Sequence, residues 1–360
     1  MFQNQRVQLI HLEYDETNDN EQQLRISKMN HPLISRVHYR CMIFGDDAPF
    51  WKIKSLIIGS SNGLICLSIP TDGKFGAFSD PLYICNPVTR EYILLPICNE
   101  KCQQGRNVFG FGYNDKTNEY KVVRIYYESE EHTEPGQVQV YTLGAGTGWR
   151  NKGEIAYASQ TNNSHSPGMN ADGEVYWLHQ GMPRTERGKS NTGRVVAFSL
   201  ANEMFRLLPT PPYYTTLPSC LKMAVFVYYQ IQVLGGCLCF IHKKGYDTIN
   251  VWSFKKRNDC CSCSSNEKEE DSSNWSLAAA VHLQRGDLVE FFDLTKNGEI
   301  LYWDDKRTPL SYDPRTASIK ELLNDDTAGL DVFETIRHEN SFVSLKALGE
   351  ENVDMFDRIN

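Results

Sequence analysis

Long apolar runs are missing from this 360-residue sequence. No stretch approaches the ~20 consecutive apolar residues that a membrane-spanning helix requires. The N-terminal MFQNQRVQLIHLEYD has no basic start followed by an apolar core, so it does not read as a secretory leader. No basic block occurs either, and a formal net charge of −8 argues against a nucleic-acid partner. Helical periodicity bounded by capping residues is equally scarce. What remains is an expectation of an all-β protein of the cytoplasm or nucleus, without membrane or nucleic-acid contacts.

Cysteine is the one residue type in apparent excess, with eleven copies. Cys66, Cys85, Cys237 and Cys239 fall inside apolar strand-like runs (LICLS, YICN, GGCLCFI), where a thiol behaves as a small hydrophobe. Reduced thiols are therefore expected. The pairs Cys98–Cys102 and Cys260-Cys261-x-Cys263 have no histidine at ligand spacing, so no metal or other cofactor is expected.

The sequence does contain a repeat. LYICNPVTREYILLP (82–96) holds an apolar run, an Asn-Pro turn and a second apolar run, the outline of a β-hairpin. Similar outlines recur at VQVYTLGAGTGWRN, VVAFSLANEMFRLLP, INVWSFKKRND and PLSYDPRTASIKELL. Aligning Asn86, Thr142, Ser199, Ser253 and Asp313 gives a period of about 55 to 60 residues, within the range of β-propeller blades. Aromatic residues make up 11% of the chain, which suits pleated sheet.

Each hairpin is preceded by two further strand-like runs. In the first unit these are the two halves of WKIKSLIIGSSNGLICLSI (51–69), turning at Asn62-Gly63, a strong hairpin signal. Later units open at Asn107, Pro167, near Ala224 and at LVEFFDL. Two strands are expected within residues 5–30 and two more in DVFETIRHENSFVSLKAL (331–348). Joined in one blade, these terminal strands would hide exposed edges and close a ring of about six blades, kelch-like in plan. The predicted organisation is N-terminal strands over 1–54, a propeller over 55–348 and a tail over 349–360. NDCCSCSSNEKEEDSSN (258–274) interrupts the fourth unit as a polar, low-complexity insertion and reads as a disordered loop.

Candidate chemistry is thin. Gly59-Ser60-Ser61-Asn62-Gly63 satisfies G-x-S-x-G, but that elbow requires a helix next, and LICLS is strand-like. The glycines from Gly144 to Gly148 do not open a helix as a phosphate loop does. His179 and His242 follow apolar strands, and His338 has no nucleophile beside it in sequence. Asp304-Asp305 and Asp325-Asp326 are adjacent pairs in turns, and adjacent strand residues face opposite sides. No catalytic, metal-binding or cofactor-binding residue is assigned. For target recognition the candidates are the polar insertions 128–136, 182–192 and 258–274, since loops on a rigid scaffold usually carry binding.

The ordered series GSSNGLICL, YICNPVTREYILLP, FGFGYNDKTNEYKVVRI, VQVYTLGAGTGWRN, GEVYWL, VVAFSLANEMFRLLP, LGGCLCFI and FVSL resembles the F-box-associated domain of plant F-box/kelch-repeat proteins. The resemblance implies a β-propeller that binds a target protein for an SCF-type ubiquitin ligase and is not itself an enzyme. In that family a separate leucine-rich F-box docks to the linker and cullin subunits, and residues 1–55 carry no such motif. Alternatives are a decoy or scaffold that binds targets without the ligase, and a propeller enzyme of galactose-oxidase or glycosidase type.

Overall fold

A computed structural model describes the backbone of residues 2–6, 9–14, 24–29 and 38–42. Backbone and side chains are described for most of 57–68, 81–97, 106–128, 135–155, 167–179, 194–209, 228–243, 248–256, 274–282, 289–303, 309–322 and 335–356. Near the N-terminus β1 (Phe2–Arg6) pairs with β4 (His38–Met42), and β2 (Leu9–Tyr14) with β3 (Leu24–Met29).

Five antiparallel blades follow in chain order. The first holds β5 (Ile57–Ser61), β6 (Leu64–Ser68), β7 (Leu82–Cys85) and β8 (Glu91–Leu94). The second holds β9 (Arg106–Asn114), β10 (Glu119–Tyr127), β11 (Gly136–Thr142) and β12 (Arg150–Ile155). The third holds β13 (Met169–Ala171), β14 (Glu174–His179), β15 (Arg194–Ser199) and β16 (Met204–Leu207). In the fourth are β17 (Tyr228–Leu234), β18 (Cys237–Lys243), β19 (Thr248–Phe254) and β20 (Trp275–His282). The fifth contains β21 (Glu290–Leu294), β22 (Ile300–Trp303), β23 (Pro309–Asp313) and β24 (Ser318–Glu321).

Successive first strands are neighbours: β5 lies against β9, β9 against β13, β13 against β17 and β17 against β21. A parallel bridge between Gly110 and Gly168 shows that first strands run in the same direction at the second junction. Among the described residues this is a β-propeller with five blades, not about six.

Local chemistry explains the turns. Asn62-Gly63 closes β5 onto β6 with φ of 44° and 88°, the left-handed pair that a two-residue hairpin needs and that Gly adopts without steric cost. At the third-to-fourth-strand turns a polar residue ends the third strand and caps the loop. Asn86 Oδ1 accepts from the Val88 N–H, and Asp313 Oδ1 from the Arg315 N–H, at 2.8 and 2.9 Å. The final turn residue, Arg90 or Ala317, sits at φ 65° or 55°.

The core lies between blades. Four apolar clusters fill the junctions from first to fifth blade; the one between blades one and two includes Ile84, Phe109, Val122 and Tyr141. Repeated indole contacts add to this packing. Trp149 Nε1 before β12 donates to the Pro96 carbonyl after β8 (2.8 Å), and Trp275 Nε1 of β20 to Pro209 after β16 (2.9 Å).

The terminal strands do not share a blade. Residues 335–344 join no ladder, and 345–349 form a turn. Their backbone groups are met by side chains instead, which apolar patterning could not indicate. A two-residue strand, β25 (Asp354–Met355), pairs with β8 as a fifth strand of the first blade.

Candidate interaction faces

Antiparallel blades fix which connections share an end. Turns joining first to second and third to fourth strands gather on one side, here the turn face. Connections joining second to third strands, and blade to blade, leave from the opposite side, the connection face. Two expected recognition insertions, 128–136 and 182–192, join second to third strands (β10 to β11, β14 to β15), whose flanking ends lie on the connection face. The third, 258–274, joins β19 to β20 and leaves from the turn side. Residues 129–134, 180–193 and 257–273 themselves lie outside the described residues, as do Cys98, Cys102, Cys260, Cys261, Cys263, Asp304, Asp305, Asp325 and Asp326.

The turn face is braced by two carboxylates that bridge blades. Glu203, in the β15–β16 turn of blade three, meets three cations of blade two: Lys121 Nζ at 3.0 Å, Arg150 at 2.6 Å, and Lys152. Burial raises the Glu203 pKa, but hydrogen bonds from these partners outweigh it and hold the carboxyl at about 2. Glu174 of β14 takes Arg206 of its own blade at 2.6 Å and Lys256 of blade four at 3.0 Å, while the Tyr176 hydroxyl donates at 2.8 Å. Burial again opposes ionisation, and the same three partners keep this carboxyl at about 2 as well. Both groups are anions with their acceptor capacity filled from the protein, so neither is suited to proton transfer near neutrality.

The expected hairpin at Gly59–Gly63 is present, with no helix after it. His338, however, does meet a nucleophile-type side chain: its Nδ1 lies 2.9 Å from Ser60 Oγ of β5. No sequence signal could pair residues so far apart. His242 lies inside β18, buried, with its ring 5.2 Å from that of Tyr229. His179 ends β14. Among the described residues no group of three His, Cys, Asp or Glu side chains is placed to hold a metal. The described cysteines Cys66, Cys85, Cys237 and Cys239 are free.

Sequence reading also missed Arg124, buried in β10. Its Nε donates to Asn107 Oδ1 at 2.8 Å, and its guanidinium stands 5.5 Å from the Phe109 ring centre. Inside EYKVVRIYY it resembles an ordinary outward-facing charge.

This architecture, interlocked four-stranded blades with charge bridges on the turn face, defines a β-propeller. The chain belongs to the F-box associated beta propeller domain family, whose model matches residues 4–323. Relatives in Arabidopsis thaliana include F-box protein At3g07870, 26% identical over 302 residues covering 74% of this chain, and F-box protein CPR1, 28% identical over 222 residues covering 56%. The chain spans 65% and 49% of those two relatives' lengths. One solved structure resembling it, a DUF4784 family protein from Bacteroides caccae, is 11% identical with a TM-score of 0.32, over 74% of this chain and 61% of that one. That likeness carries no argument about activity. No helix among the described residues is long and apolar enough to cross a membrane.

Proposed function

We propose that this chain is the target-binding module of an F-box type substrate receptor, non-catalytic itself, acting in the cytoplasm or nucleus. Its binding unit is the propeller of residues 55–348, and the target protein docks on the connection face. The family match over residues 4–323, with F-box proteins as relatives, carries this reading. The face assignment rests on the turn face being occupied by the chain's own bridges, at Glu174 and Glu203 and along residues 341–350. Delivery to a ubiquitin ligase through linker and cullin subunits requires an F-box, which a longer protein of the relatives' length would supply.

The test joins the chain to an F-box motif and follows protein half-lives in plant cells. A protein should be destabilised by this fusion, bind it directly, and be spared when 129–134 and 180–193 are replaced by Gly/Ser. If replacement leaves both binding and turnover unchanged, the connection face is not the docking site. If no protein changes its half-life, the receptor reading fails.

A further inference from the structure

The segment following blade five touches three blades in turn. At its start Thr335 Oγ1 accepts from Trp303 Nε1 of β22 at 2.8 Å, and Arg337 lies 3.5 Å from Asp293 of β21. Next come the contacts to blade one. His338 meets Ser60, Ser341 Oγ donates to the Asn62 carbonyl at 3.1 Å, and Asn86 Nδ2 donates to the carbonyls of Ser341 and Val343. The Glu91 carboxylate accepts from the Leu345 N–H at 2.6 Å and the Ser344 hydroxyl at 2.8 Å. Leu345 itself is fully buried in the core between blades one and two.

Over blade two, Glu350 accepts from the Gly144 N–H at 2.8 Å and the Tyr141 hydroxyl at 3.2 Å. The chain then doubles back. β25 extends the first blade, and Phe356 packs with Tyr83 and Cys85 on the face of that blade turned away from blade two.

We propose that residues 335–356 are the clasp of the propeller, tying blade five, from the connection end of β22, to the turn ends of blades one and two. The described apolar clusters join blades one to two, two to three, three to four and four to five. This segment touches both blade five and blade one, and it lies beyond residue 323 where the family match ends. An open ring end has two unsupported sheets; a strap anchored on both sides makes their separation require its release. Long-range closure thus depends on side chains gripping a backbone outside any ladder, with only two residues of added strand.

Two glycines provide a matched test in the full chain. Gly144 and Gly148 have similar backbones, φ 73° and 64°, but a Cβ at Gly144 would overlap the Leu348 carbonyl, whereas Gly148 has open space around it. Substitution by Ala therefore carries a similar left-handed penalty at both, and only Gly144→Ala displaces the clasp, starting at Leu348. Hydrogen exchange read by mass spectrometry should accelerate in β21 and β22 by about tenfold or more for Gly144→Ala, the sign of sub-global opening, and stay near wild type for Gly148→Ala. Glu350→Ala, a milder release at the same place, should raise exchange in the same strands to a lesser degree. If either releasing variant frees residues 335–356 while β21 and β22 exchange as before, the segment merely docks on a ring closed by other means, and the proposal is overturned.

Discussion

The side chain of Asn86 holds the main chain of Val343. Its Nδ2 donates to the Val343 carbonyl at 2.7 Å and to Ser341 at 3.0 Å, while its Oδ1 caps the turn at Val88. One fully buried amide thus serves a local turn and a contact spanning most of the chain.

Asn86→Asp separates these two roles. The carboxylate keeps the acceptor for the turn but removes the donor and faces two carbonyl oxygens. Removing such a buried partner costs about 1–3 kcal/mol, so Asn86→Asp should lower the urea midpoint, and Asn86→Ala, which loses the turn acceptor as well, should also lower it. An Asn86→Asp protein as stable as wild type would mean the grip on residues 341–343 contributes nothing.

Acid should loosen the turn face. The carboxyls of Glu174 and Glu203 are held at about 2, below the ordinary value near 4.3 of an unfolded chain. A depressed carboxyl contributes stability that is present above the unfolded pKa and lost as pH falls through the folded one. Thermal midpoints should therefore decline from about pH 4.3 towards pH 2 in wild type. The double variant Glu174→Gln, Glu203→Gln should start lower and decline less steeply; equal slopes would remove these groups from the acid response.

The two indole bridges should differ in weight. Trp275 is buried beside Phe254 and Phe240, whereas Trp149 is only half-buried. Replacing either by Phe deletes one N–H donor, worth about 1 kcal/mol net, and the buried site adds a lost packing contribution. Denaturant titrations should rank Trp275→Phe as the more destabilising, and the reverse order would argue against burial as the deciding factor.

Thiol reactivity should follow burial. Cys66 and Cys85 are enclosed between strands, and burial pushes the Cys85 thiol up to about 12 and that of Cys66 well above its ordinary value. Cys239 is likewise raised by burial to about 12, while Cys237, at the start of β18, is exposed. Peptide mapping after brief iodoacetamide treatment of folded protein should find Cys237 alkylated ahead of the other three. Rapid labelling of Cys66 or Cys85 would show that the first blade opens readily.

The five blades could be read from the amino acids because their signals are local. Asn62-Gly63 requires a left-handed pair, Asn86 and Asp313 cap their own turns, and the repeat spaces these marks at near-equal intervals. The three polar insertions, 128–136, 182–192 and 258–274, could be located for the same reason, as breaks between clear strands. Local signals also misled: DVFETIRHENSFVSLKAL (331–348) has the apolar content of two strands, which joined to the N-terminal strands would make a sixth blade. Yet a strand exists only where a partner edge is free. In the folded protein the first blade's outer edge is taken by Asp354 and Met355, while residues 341–345 are hydrogen-bonded by Asn86 and Glu91.

The bridging roles of Glu174 and Glu203 depend on Lys256 and Arg150, which belong to other blades and stand at no fixed spacing from them in sequence. Backbone conformation answers to neighbours a few residues away, so the sequence by itself determined the repeat, its turns and its strands. Ion pairs and straps answer to distance in space, and only the packing of blade on blade decided which charges meet and where the C-terminal segment lies.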